Sequence, residues 1–173
     1  QCPNACDFCL RNNSTGSLYA DNLWYEGAEP TKEKILADLK KRDLNSYAEI
    51  VFCGYGEPAC RWDDMLWLAA RLKEMGNYTL RVNTNGLADC ITGRNAAPEM
   101  HGLLDIVSVS LNAPTAKAFW RRSRIKFASG WRQNTTIFMS MDVLRAFMAS
   151  IAKCIFREKR LKKFSIFMQC ALS

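Results

Sequence analysis

The sequence predicts an α/β fold, part of a (βα) barrel, on three observations. Short apolar runs alternate with helix-period segments across residues 1–114, the rhythm of parallel strands joined by helices. Each run ends in a polar loop carrying Gly or Asn. A loop with Cys2, Cys6 and Cys9 stands before the first unit. In a (βα) barrel the C-terminal strand ends share one mouth, where chemistry is built. Position 1 is Gln rather than Met, and the cysteine loop would follow a strand upstream of it. The barrel is therefore expected to be truncated at its N-terminus, and incomplete at its C-terminus because the rhythm fades after Pro114.

The elements follow in order. A polar stretch from Asn12 to Gly27 leads to Pro30 and Thr31, a helix start. Ile35, Leu36 and Leu39 then share one face through about Asp43. Glu49–Cys53 reads as a buried strand, closed by the turn Gly54-Tyr55-Gly56-Glu57-Pro58. Trp62 to Met75 carries Met65, Leu66, Leu68, Ala69 and Leu72 on one side of a second helix, stopped by Gly76 and Asn77. Thr79–Thr84 is the next strand, with Asn85-Gly86 as its turn. A loop holding Gly93 and Pro98 connects to a strand over Asp105–Leu111, which ends in Asn112, Ala113 and Pro114. Beyond that, only Val143–Phe156 has helical spacing, and Lys159–Lys163 is a basic run.

At 173 residues the chain has the length of one domain with a sizeable core. No apolar run reaches membrane-span length and no secretory pattern opens the chain, so no membrane partner and a cytoplasmic location are expected. The eight cysteines then belong in a reducing compartment rather than in a disulfide framework. The net charge of +7 hides a division. Residues 1–113 hold 11 Lys and Arg against 15 Asp and Glu, whereas residues 114–173 hold 13 against 2. The expected division is a core over 1–115 and a basic segment over 116–173.

Cys2, Cys6 and Cys9 lie at C-x3-C-x2-C. A four-iron cluster normally takes four thiolates, so three from one loop would leave one iron open to another ligand. Structural zinc would want a fourth Cys or His close by, but the next cysteine is Cys53 and the one histidine is His101. The spacing favours iron–sulfur. Cys53, Cys60, Cys90, Cys154 and Cys170 read as ordinary buried or free thiols, and Trp24, Trp62 and Trp67 as core or rim aromatics.

With Phe8 before its last cysteine, the CPNACDFC loop resembles the signature of the radical SAM superfamily. Gly54-Tyr55-Gly56-Glu57-Pro58 resembles that superfamily's GGEP motif, with Tyr55 where a second Gly is usual. Asn83-Thr84-Asn85-Gly86 resembles its TNG strand end, and Ser108, Ser110 and Asn112 its next polar strand end. The stretches CPNACDFCLRNN, VFCGYGEP, RVNTNGL and SVSLNAP look most like the radical SAM proteins associated with TatD. The resemblance covers residues 1 to about Thr115 and implies a barrel of radical SAM type.

It also implies cofactors: a [4Fe–4S] cluster on Cys2, Cys6 and Cys9, and S-adenosylmethionine (SAM) on its open iron. Phe8, Gly54, Tyr55, Gly56, Glu57, Pro58, Asn83, Asn85, Ser110 and Asn112 would hold SAM. Glycines would let backbone carbonyls approach its amino group, and Glu57 would add a negative charge. The implied reaction is reductive cleavage to a 5′-deoxyadenosyl radical that takes hydrogen from an unknown substrate, fed by flavodoxin or ferredoxin.

Other classes remain alongside: a non-catalytic iron–sulfur or zinc protein, or an inactive fragment whose basic tail binds nucleic acid. For residues 116–173, loss of acidic residues, Pro and Gly fits a non-native continuation better than a nucleic-acid-binding segment.

Overall fold

The computed structural model describes residues 2–7, 9, 27–54, 56–110 and the backbone of 163–167. Helix α1 spans Lys32–Leu39, with Thr31 Oγ1 accepting from Lys34 N at 3.2 Å as its N-cap. It stops short of Asp43. That residue caps a 3-10 turn at Leu44–Ser46 instead, its carboxylate accepting from Asn45 N, because a short acidic side chain competes for nearby backbone N–H groups.

Strand β1 (Ile50–Phe52) is followed by a 3-10 turn at Pro58–Arg61 and by α2 (Trp62–Met75). The limits of α2 are those the apolar spacing predicts. Asp63 and Asp64 in its first turn suit the positive end of the helix dipole. At its end, a Cβ on Gly76 would come within 2.9 Å of the Tyr78 ring, so a larger residue there would have to push that ring aside. Strand β2 is Leu80–Thr84, and β3 is Ile106–Ser110.

Between β2 and β3 the chain is not the plain loop expected from Gly93 and Pro98. It forms helix α3 (Ala88–Thr92) and a 3-10 turn at Ala97–Met100. Five residues are too few to show a helical period. Gly93, at φ +71°, is the left-handed residue that ends α3.

Strand β4 (Lys163–Phe167) pairs with β3. It was not expected, since its first residue reads as the end of a basic run. The order is β1-β2-β3-β4 and every neighbouring pair is parallel. Among the described residues this is an open sheet. Barrel closure would need more strands. The expected helix over Val143–Phe156 and the end of the third strand at Leu111 to Pro114 lie outside the described residues.

The register sorts residues between the two faces. Ile50, Phe52, Leu80, Val82, Val107 and Val109 join one core with Trp62, Met65, Ala69 and Leu72 of α2. Leu72, Leu80, Val82, Val107 and Val109 are almost wholly buried. Burying side chains of this size stabilises by about 1.5–3 kcal/mol each. The opposite face carries Val51, Arg81, Asn83, Ile106, Ser108 and Ser110, since alternate residues of a strand point to opposite sides. Asn83 is exposed there, beside its buried register partner Ser108. No helix in the described residues is long and apolar enough to cross a membrane.

Candidate functional site

The polar residues singled out from the sequence gather where β1 and β2 end. Gly54 follows β1 with φ +156°, which L side chains rarely adopt. The space where a Cβ would stand is open to 4 Å, so its backbone is approachable. Pro58 opens the 3-10 turn, and Glu57 caps it by accepting from Ala59 N at 3.1 Å.

Glu57, expected to add a negative charge near a ligand, does more than cap: its carboxylate is bonded within the protein. The side chain is 6% exposed. Its Oε1 also accepts from Thr84 Oγ1 at 2.6 Å, and its Oε2 from Asn85 N at 2.7 Å. The carboxylate is turned into the protein, where it ties the end of β1 to the end of β2. Burial pushes the Glu57 carboxyl above the ordinary range, while the bonds from Thr84, Asn85 and Ala59 pull it back. Three protein donors suit the ionised form, which only accepts.

Thr84 in turn accepts from Gly86 N at 3.2 Å. Asn85 Oδ1 accepts from Leu87 N at 3.0 Å, fixing the amide. Asn85 Nδ2 is buried and has no hydrogen-bond partner among the described residues. A buried donor left unpaired costs about 1–3 kcal/mol, which makes it a place for an acceptor oxygen.

A cleft of about 230 Å³ lies beside this cluster. Gly54, Gly56, Glu57 and Pro58 line it, with Phe52 and Met65 supplying apolar wall and Arg61 and Asp64 polar rim. Arg61 and Asp64 are paired at 2.7 Å. Asn83, Asn85 and Ser110 are not among its walls. The expected ligand set is thus divided: the glycine turn borders the cleft, Asn85 is bonded to Glu57, and Asn83 and Ser110 stand on the second face of the sheet. Phe8, Tyr55 and Asn112 lie outside the described residues.

Cys2, Cys6 and Cys9 are half-buried, with Cys9 N donating to Cys6 O at 3.0 Å in a tight turn. Among the described residues no three His, Cys, Asp or Glu side chains converge on a point for one metal ion. Thiolates sharing one zinc would sit roughly 3.8 Å apart, given Zn–S of about 2.3 Å and tetrahedral angles. A four-iron cube asks for less convergence, because each thiolate takes a different iron. Cys53 is exposed and Cys60 half-buried, while burial, with Asp89 nearby, pushes the Cys90 thiol up to about 11. None of these three is in a disulfide among the described residues, and Cys154 and Cys170 lie outside the described residues.

Sequence reasoning missed the bond between Glu57 and Thr84. The Gly-Glu-Pro and Thr-Asn-Gly turns were each visible, but no local pattern reports a contact across 27 residues.

The family model described as the radical SAM superfamily matches residues 1–143. The chain belongs to the radical SAM superfamily. The match passes Thr115, where the motif resemblance ends, and runs into the basic segment. Comparisons with curated proteins and with solved structures give no match. Members of this superfamily typically use a [4Fe–4S] cluster and SAM. The donor types suit both groups: three thiols within residues 2–9 for iron, and the Asn85 amide and the open backbone at Gly54 for an oxygen- and nitrogen-bearing ligand.

Proposed function

We propose that this chain is a radical SAM enzyme of the TatD-associated kind, holding a [4Fe–4S] cluster on Cys2, Cys6 and Cys9 and SAM at the ends of β1 and β2. The observation that carries the reading is the joined pair of turns. Glu57 binds Thr84 and Asn85 across the two strand ends, and Asn85 Nδ2 is left buried without a partner among the described residues. When bound, the cluster and SAM supply one-electron chemistry that ends in hydrogen abstraction from the substrate.

The chain's own residues do the positioning. Gly54 and Gly56 leave backbone approachable for an ammonium group. Asn85 donates to an oxygen acceptor, and Asn83 and Ser110 offer hydrogen-bonding groups on the sheet's second face. Phe8, Tyr55, Pro58 and Asn112 complete the proposed set by motif. Flavodoxin or ferredoxin is the proposed electron source, and the compartment is cytoplasmic.

Anaerobic reconstitution tests the reading. The expected product is a brown protein with about four irons per chain, which under dithionite cleaves SAM to methionine and 5′-deoxyadenosine. Replacing Cys2, Cys6 and Cys9 by serine should abolish the colour and the cleavage together. An iron-loaded chain that binds no labelled SAM would instead be a simple iron–sulfur protein.

A further inference from the structure

Every oxygen of Glu57 is used inside the protein. Oε1 takes Ala59 N and Thr84 Oγ1, and Oε2 takes Asn85 N. The side chain is 94% removed from solvent, as its 6% exposure states. Asn85 is held at two points: its N–H by Glu57, its Oδ1 by Leu87 N. Its remaining side-chain polar atom, Nδ2, has no partner among the described residues. Thr84 closes the arrangement, donating to Glu57 while accepting from Gly86 N.

From this connectivity we propose that Glu57 is a positioning residue: it does not touch SAM, but sets the Asn85 backbone so that Asn85 Nδ2 meets an acceptor oxygen of SAM. The inference rests on the SAM-binding reading above. Glutamine at position 57 cannot reproduce the strut. With its oxygen toward Ala59 and Thr84, its NH2 faces the Asn85 N–H, donor against donor. With the amide flipped, Ala59 N–H loses its acceptor. Thr84→Val removes one donor from the carboxylate, whereas Thr84→Ser keeps the hydroxyl.

Two measurements on the full chain test the proposal. The first is amide hydrogen exchange at Asn85 and Gly86 without any ligand, with far-UV circular dichroism to verify folding. Glu57→Gln should speed exchange at Asn85 by about tenfold or more, the scale of one lost charge-assisted bond. The second is a cycle of SAM dissociation constants for the reconstituted wild type, Glu57→Gln, Asn85→Ala and the double variant. Each single change should weaken SAM by about tenfold. The double variant should be no worse than the weaker single by more than about twofold, since both act through one amide. Thr84→Ser should stay close to wild type while Thr84→Val follows Glu57→Gln.

Losses that multiply in the double variant would show Glu57 touching SAM directly and overturn the proposal. Unchanged exchange at Asn85 would overturn it as well. If wild type binds no SAM, the functional reading fails, while the exchange result still decides whether the strut exists. Should Glu57→Gln not fold, Thr84→Val serves as the same test of both readouts.

Discussion

The two ends of β2 carry polar clusters of similar composition and opposite character. At the N-terminal end, Asp105 Oδ2 accepts from Lys73 Nζ at 2.6 Å and from Leu80 N at 2.8 Å, and Lys73 also donates to Tyr78 O. This ties α2, β2 and β3 together. At the C-terminal end, Glu57 likewise joins two strands, yet Asn85 Nδ2 has no acceptor among the described residues. One end is a clamp. The other is tied down and still leaves a donor to spend, as a binding site requires. Parallel βα architecture explains the division, because loops after the strands are free to vary while the opposite end holds the layers together.

Breaking the clamp gives the largest expected loss of stability. Asp105→Ala should cost roughly 2–4 kcal/mol, since it strands the Leu80 N–H and the half-buried Lys73 ammonium. Denaturant unfolding measures that loss, and SAM affinity measured where the variant is folded should not change. Glu57→Gln should cost less, about 1–3 kcal/mol, and should weaken SAM binding. A variant at either end that moved both quantities equally would erase the contrast.

The pH dependence sharpens it. Glu57 is raised above its ordinary 4.5 by burial, so the folded state holds its proton to higher pH than the unfolded state does. Its ionisation cost is absent below the ordinary value and fully present above the raised one. Wild type should therefore lose stability relative to Glu57→Gln as pH rises through that window, then level off. Chemical denaturation of both across pH measures this.

The smallest effect belongs to the surface. Arg94 pairs with Asp63 and Glu99, and Trp62 Nε1 donates to Glu99 at 3.0 Å. The Arg94 and Asp63 ends are exposed, so Arg94→Ala should change denaturant stability least of these variants, and less still in high salt.

Much of the fold was legible because its signals are local. The apolar stripe from Met65 to Leu72 placed α2, and the short runs before each Gly or Asn turn placed β1, β2 and β3. Helix α3 was too short to show a period. Strand β4 followed basic residues that masked its start. The site was half legible. Glycine turns and cysteine spacing are written in consecutive residues, so Gly54, Gly56, Cys2, Cys6 and Cys9 could be named. The inward turn of Glu57 depends on Thr84 and Asn85 arriving from the next strand, and no window of sequence contains all three.

The most direct test of the account is electron paramagnetic resonance of the reconstituted, dithionite-reduced chain before and after SAM is added. The account predicts a reduced four-iron signal that changes shape when SAM binds, with a weaker response to SAM in Asn85→Ala. A reduced cluster whose signal SAM leaves unchanged would contradict it.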